Sequence, residues 1–118
     1  MEWMERLNEA IAYMEEHMQE EISLEEVAKI ACTSSYNFQR MFSYMTGISL
    51  SEYIRRRRMS LAAEELQQGT DKIIDIALRY QYASPTAFNR AFRSVHGIAP
   101  SLLRNKIGRA HVCTPVTQ

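Results

Sequence analysis

One pattern in this chain occurs twice, 50 residues apart. Phe38, Arg40, Phe42, Gly47 and Ile48 return as Phe88, Arg90, Phe92, Gly97 and Ile98, each exactly one period on. Upstream, Val27-Ala28 returns as Ile76-Ala77 at a spacing of 49, so the second copy carries one extra residue in its turn. A period of this size is one supersecondary unit, and the chain must fold as two such units and whatever joins them.

The joining stretch runs from Ser49 to Gln68. Ser49 and Glu52 have the spacing of a capping box, and good helix formers follow without Pro or Gly. Gly69 stands where a helix can end in the left-handed conformation. The expectation is a helix of about 20 residues, about 30 Å long at 1.5 Å per residue.

The flanks read as helices too. Over residues 2–20 an acidic amphipathic helix is expected, with Met4, Leu7, Ile11, Met14 and Met18 as its buried stripe. Ser23 and Glu26 form a second capping box, opening a short helix to about Ala31. Cys32-Thr33-Ser34 is the turn, and Ser35 is the expected cap of a helix closed by Gly47. Phe38, Met41, Phe42 and Met45 make its apolar face. In the second copy Thr70 or Asp71 caps a helix through Ile73, Ile76, Ala77 and Tyr80. Ser84 caps the next, with Pro85 at its first position, where a missing N–H costs nothing. Phe88, Phe92 and Val95 point inward, Gly97 closes, and Pro100 starts a last short helix. No strand signal exceeds a few residues. The fold class is all-α, and each unit is a short helix, a tight turn and a longer helix: a helix-turn-helix, whose second helix suits the major groove.

Composition narrows the function. The formal net charge is zero, but it is segregated. Residues 1–30 carry nine Glu against Arg6 and Lys29, a net −7, and the remainder carries +7. A basic side suits a polyanion; a solvated acidic helix before an ordinary surface is the plainer alternative. No apolar run reaches about 18 residues, so no membrane span is expected. The acidic N-terminus lacks a signal-peptide pattern and points to the cytoplasm. Cys32 and Cys113 make neither a disulfide framework nor a metal cluster, and no cofactor is implied.

Base readout needs polar side chains on the first turns of a helix that enters the major groove. Arg matches guanine O6 and N7, and Gln or Asn matches adenine N6 and N7. Gln39-Arg40 and Asn89-Arg90 supply those types at equivalent places. The competing reading of Arg40 and Arg90 is a salt bridge to the acidic first helix or to Glu52. Ser35, Ser49 and Ser84, at helix starts, and Arg93 suit phosphate contacts; capping alone is the alternative for the serines. The run Arg55 to Arg58 covers about 300° of a helix and cannot face one partner, so some of it pairs with Glu52 or the first helix.

Phe38-Gln39-Arg40-Met41-Phe42, Tyr53-Ile54-Arg55, Ser84-Pro85, Phe88-Asn89-Arg90-Ala91-Phe92 and Gly97-Ile98-Ala99-Pro100 together resemble the DNA-binding domain of the AraC/XylS family of bacterial transcription regulators, in its Mar/Sox/Rob-like lineage. The resemblance covers about residues 5–105. It implies seven helices, with helix-turn-helix units at about 23–47 and 71–97 joined by a rigid helix at about 49–68, in one domain over 1–105. It implies base contacts at Tyr36, Gln39, Arg40, Thr86, Asn89 and Arg90, Tyr36 packing on a thymine methyl; a core aromatic is the alternative for Tyr36. Double-stranded DNA is the implied partner, bound as two successive major-groove segments by a monomer, with RNA polymerase as a further partner of an activator. An effector is implied only through a further domain. Ala99, where Ser or Thr is usual, and Leu103, where Tyr is common, depart from the family.

Two other functions are compatible with the residues. A helical protein-interaction adaptor could use the Met-rich first helix. A fragment of an alkyl-transfer DNA repair protein would need a zinc-binding cysteine cluster and a nucleophile, and Cys32, expected to be buried and inert, is a poor match. Residues 106–118, with Ile107-Gly108-Arg109-Ala110-His111-Val112-Cys113, resemble a translated sequencing-library adapter and are expected to be an artefactual, disordered tail.

Overall fold

The computed structural model describes residues 2–105. They contain six complete helices: α1 (Trp3–Glu16), α2 (Leu24–Ile30), α3 (Ser35–Thr46), α4 (Leu50–Gln68), α5 (Ile73–Arg79) and α6 (Pro85–His96). Residues 100–105 are helical as well and are labelled α7. No strand occurs among the described residues. The chain divides into two compact units whose boundary falls between Arg57 and Arg58, inside α4. The tail from 106 onward lies outside the described residues.

The 50-residue period is a period of backbone geometry. Gly47 and Gly97 close α3 and α6 at φ 83° and 82°, a left-handed conformation that only glycine adopts without strain. The two turns match equally well. Cys32 and Gln81, 49 apart, are the only positive-φ residues other than glycine among the described residues, at 61° and 74°. The next N–H in each case reaches back five residues: Thr33 to the Ala28 carbonyl at 3.0 Å, Tyr82 to the Ala77 carbonyl at 2.9 Å. Ala28 and Ala77 are themselves buried, which leaves each turn room to close over them. The extra residue of the second copy is Ala83, between that closing bond and the cap Ser84.

In unit 1 the core is Leu7, Ala10 and Met14 of α1, Met18 just after it, Val27 and Ala28 of α2, Phe38 and Phe42 of α3, and Leu50 and Ile54 of α4. Unit 2 buries Met59, Ala62, Ala63 and Leu66 of α4, Ile76, Ala77 and Tyr80, then Phe88, Ala91 and Phe92. Full burial of one such large apolar side chain stabilises by about 1.5–3 kcal/mol. The four phenylalanines, all completely buried, therefore fix which face of α3 and α6 looks inward.

Several local expectations are corrected. The cap of α3 is Ser34, whose Oγ accepts from the Asn37 N–H at 3.1 Å; Ser35 is already the first helical residue. The residue before α5 is Lys72, without a side-chain cap bond, because the Asp71 carboxylate is drawn to Arg79 at 3.0 Å. Helix α1 ends at Glu16, four residues early. Met4 is 49% exposed, and the edge of its neighbour Trp3 lies on Phe38 instead, 6.2 Å between centroids. Met45 is also largely exposed, although its sulfur accepts from the Trp3 indole N–H at 2.8 Å. Cys32 is exposed, not buried, since the left-handed turn position turns its side chain outward.

Candidate nucleic-acid interface

Phe38 and Phe42 anchor one side of α3, and at 100° per residue the opposite direction falls on Arg40, with Tyr36 and Ser43 near it. The structure brings Tyr36, Gln39, Arg40 and Ser43 together around one shallow hollow of about 410 Å³. Tyr36 is 72% exposed, so the core-aromatic alternative does not apply to it. The Arg40 guanidinium lies over the Tyr36 ring, 5.7 Å from its centroid. The Gln39 amide Nε2 donates to Ser35 Oγ at 3.1 Å. Ser43, which helical spacing also turns away from the phenylalanines, joins this face although it is not among the residues assigned to DNA.

In α6 the same register holds. Thr86, Asn89, Arg90 and Arg93 are all exposed, and Phe88 and Phe92 are buried behind them. Ser84 caps the helix, its Oγ accepting from the Ala87 N–H at 3.1 Å, and Ser49 Oγ accepts from the Glu52 N–H at 3.1 Å. A capping hydroxyl uses an acceptor lone pair and keeps its O–H as a donor, so capping and a phosphate contact are compatible at Ser49 and Ser84.

The arginines sort into two groups. Arg55 and Arg56 both hold Glu52, at 2.6 and 2.7 Å, and keep its carboxyl below the ordinary carboxylate range. Arg57 makes a two-pronged bond to Glu15 of α1, both distances 2.9 Å. Those bonds hold the Glu15 carboxyl below its ordinary value, with help from the Tyr53 hydroxyl, which donates to it at 2.7 Å. Burial, together with that donation, pushes the Tyr53 phenol up to about 12. Arg58 is half-buried, and its burial lowers its affinity for a proton. Arg79 bridges Glu65 and Asp71. The arginine run is thus mostly structural, as its angular spread required. Arg40, Arg90 and Arg93, by contrast, form no ion pair among the described residues, so the salt-bridge alternative fails for the two proposed base readers.

No group of three or more His, Cys, Asp or Glu among the described residues is placed to hold a metal ion. No helix among them is long and apolar enough to cross a membrane.

A family model described as a helix-turn-helix domain matches residues 27–106. The transcriptional activator AarP of Providencia stuartii is 39% identical over 98 residues, which are 83% of this chain and 73% of AarP. The regulatory protein SoxS of Escherichia coli is 37% identical over 101 residues, 86% of this chain and 94% of SoxS. The right origin-binding protein of E. coli is 37% identical over 98 residues, but the match spans only 34% of its length. Among solved structures, an AraC-type transcriptional regulator of Chromobacterium violaceum superposes with a TM-score of 0.83 at 26% identity, covering 90% of this chain and 95% of that one. The DNA-binding domain of AdpA, a global transcriptional factor solved in complex with a target DNA, superposes at 0.80 and 28% identity, covering 92% of this chain and 97% of its own.

Proposed function

Because the chain belongs to the AraC/XylS family of helix-turn-helix regulators, we propose that it is a sequence-specific DNA-binding transcription regulator with two base readers, α3 and α6. Tyr36, Gln39 and Arg40 read one major-groove segment, and Thr86, Asn89 and Arg90 read the next. A monomer suffices, because one chain carries both helices. Ser49, Ser84 and Arg93 serve phosphates and set register without reading sequence. The observation that carries this reading is the face of α3: amide, guanidinium and aromatic ring around one hollow, opposite a buried phenylalanine pair, with the guanidinium left out of every described ion pair. The likeness to an AdpA domain solved on its target DNA supports it.

The reading places the protein in the cytoplasm, with no catalytic role. RNA polymerase is the further protein partner it carries, and no effector site is assigned to the described residues. A protein-interaction adaptor or a repair-enzyme fragment has no comparable support: the stripe of α1 is largely spent on its own core, and Cys32 has no second cysteine beside it among the described residues.

The test is a pair of substitutions. Arg40→Ala lowers affinity for the preferred duplex by about 1–3 kcal/mol and relaxes the preference at one base pair. Arg93→Ala weakens binding evenly across sequences, with a shallower salt dependence. If Arg40→Ala leaves both affinity and preference intact in a shift assay, α3 is not a base reader.

A further inference from the structure

The side chains of α3 that read bases are held before any DNA arrives. Gln39 is tied to Ser35, one turn back, by the 3.1 Å bond from Nε2 to Oγ. The Arg40 guanidinium lies over the ring of Tyr36, also one turn back, in a cation–π contact. Residues four apart on a helix are neighbours, so both ties lie along the helix surface.

Neither tie spends the chemistry that reading requires. The Gln39 amide has two N–H bonds, and Ser35 takes one. The second N–H and Oε1 remain as the donor–acceptor pair that matches adenine N7 and its N6 amino group. The cation–π contact gives the Arg40 guanidinium no hydrogen-bond acceptor, so its N–H groups remain for guanine O6 and N7. In α6 the corresponding positions are Pro85 and Thr86, which offer Asn89 no hydroxyl at that position and Arg90 no ring.

We propose that Ser35 and Tyr36 are positioning residues: Ser35 orients the Gln39 amide and Tyr36 orients the Arg40 guanidinium, so that sequence discrimination by α3 depends on both. This rests on the reading of α3 given above and departs from the expectation that Ser35 touches phosphate: its hydroxyl already accepts the Gln39 bond, and the two roles differ in their effect on the unselected duplex.

The experiment uses the full chain and three kinds of probe: a duplex selected by the unaltered protein from a randomised pool, its single-base-pair variants, and an unselected duplex of equal length. Ser35→Ala lowers discrimination about threefold to tenfold at the base pair that Gln39→Ala also affects, the range expected for one net hydrogen bond. Affinity for the unselected duplex and the helical circular dichroism stay unchanged. Ser35→Thr, which keeps the hydroxyl, restores discrimination, and Ser35→Ala has no further effect in a Gln39→Ala background. In the same way Tyr36→Phe keeps the ring and the Arg40-dependent preference, and Tyr36→Ala loses that preference. An even loss on all duplexes that persists in the Gln39→Ala background marks Ser35 as a phosphate contact and overturns its positioning role. An unchanged preference after Ser35→Ala overturns that role too; an unchanged preference at the Arg40 base pair after Tyr36→Ala, or a loss there that persists in an Arg40→Ala background, overturns that of Tyr36. If Gln39→Ala itself changes no preference, the base-reading assignment falls with the Ser35 tie; if Gln39→Ala matters and Ser35 does not, only the tie falls.

Discussion

Helix α3 opens with Ser34-Ser35-Tyr36-Asn37 and α6 with Ser84-Pro85-Thr86-Ala87. In both, the leading serine accepts from the N–H three residues on, at 3.1 Å. Beyond that bond the two part. In α3, Asn37 donates to Thr33 at 2.8 Å, Gln39 to Ser35, and the Arg40 guanidinium lies over the Tyr36 ring. Pro85, Thr86 and Ala87 offer no equivalent partners. The backbone bonds that make the motif are kept, and the side-chain bonds that hold the reading groups belong to one copy. A repeat can therefore conserve a shape and still differ in how rigidly it presents a surface.

A second pair shows the same economy with the roles exchanged. In unit 1 the carboxylate comes from α1, and α4 supplies Tyr53 and Arg57 to grip Glu15. In unit 2 the carboxylate is Glu65 of α4, gripped by Arg79 and the hydroxyl of Tyr80. Tyr80 is buried, Tyr53 half-buried.

The largest expected effect tests whether the cores are equivalent. Phe42→Ala and Phe92→Ala each remove a completely buried ring and are each expected to cost about 3–5 kcal/mol in urea unfolding. Trp3, the single tryptophan, sits edge-on to Phe38 and gives unit 1 its own fluorescence signal. A cost below about 1 kcal/mol in either unit would break the equivalence. Next come the glutamate grips. Glu65→Ala takes the carboxylate from both Arg79 and a buried tyrosine hydroxyl and is expected to cost about 2–3 kcal/mol, whereas Glu15→Ala leaves Tyr53 within reach of water and costs about 1 kcal/mol. The reverse order, measured by the same unfolding, would show that exposure of the tyrosine does not set the cost. The smallest effect is one of pH. An unfolded tyrosine loses its proton near pH 10. Folded Tyr53 holds its own to about 12, so the folded state binds more protons between these values. The stability that Tyr53 contributes is fully present below about pH 10 and falls as pH rises toward 12. Alkaline unfolding followed at Trp3 should show this slope, and Tyr53→Phe should remove it.

The scaffold was legible because its determinants are local. Gly47 and Gly97 mark left-handed closures, Ser23, Ser49 and Ser84 cap where they stand, and the phenylalanine pairs fix the inward faces. Ser34 was missed because two adjacent serines satisfy the same local rule, although the 50-residue period from Ser84 points to it. Cys32 was misjudged because a left-handed residue reverses the direction that helical spacing suggests. The functional face was partly legible: residue types and period placed Gln39, Arg40, Asn89 and Arg90 outward. The ties from Ser35 and Tyr36 were not legible, since a serine and an exposed ring have several equally good local partners and only the folded helix selects one. The arginine run resolved on angle alone, but its partner Glu15 lies 42 residues from Arg57, beyond any local pattern.

Ala83 bears on how the length of such a chain can drift over generations. In the first copy the closing N–H of Thr33 is followed at once by the cap Ser34; in the second, Ala83 intervenes between Tyr82 and Ser84. The added residue falls after one obligatory backbone bond is complete and before the next begins. A deletion or duplication of a codon there alters neither the buried alanine that accepts the closing bond nor the serine that starts the helix. The gap between the two spacings, 49 and 50, marks a joint within each motif where this architecture can absorb a change of length without renegotiating its core.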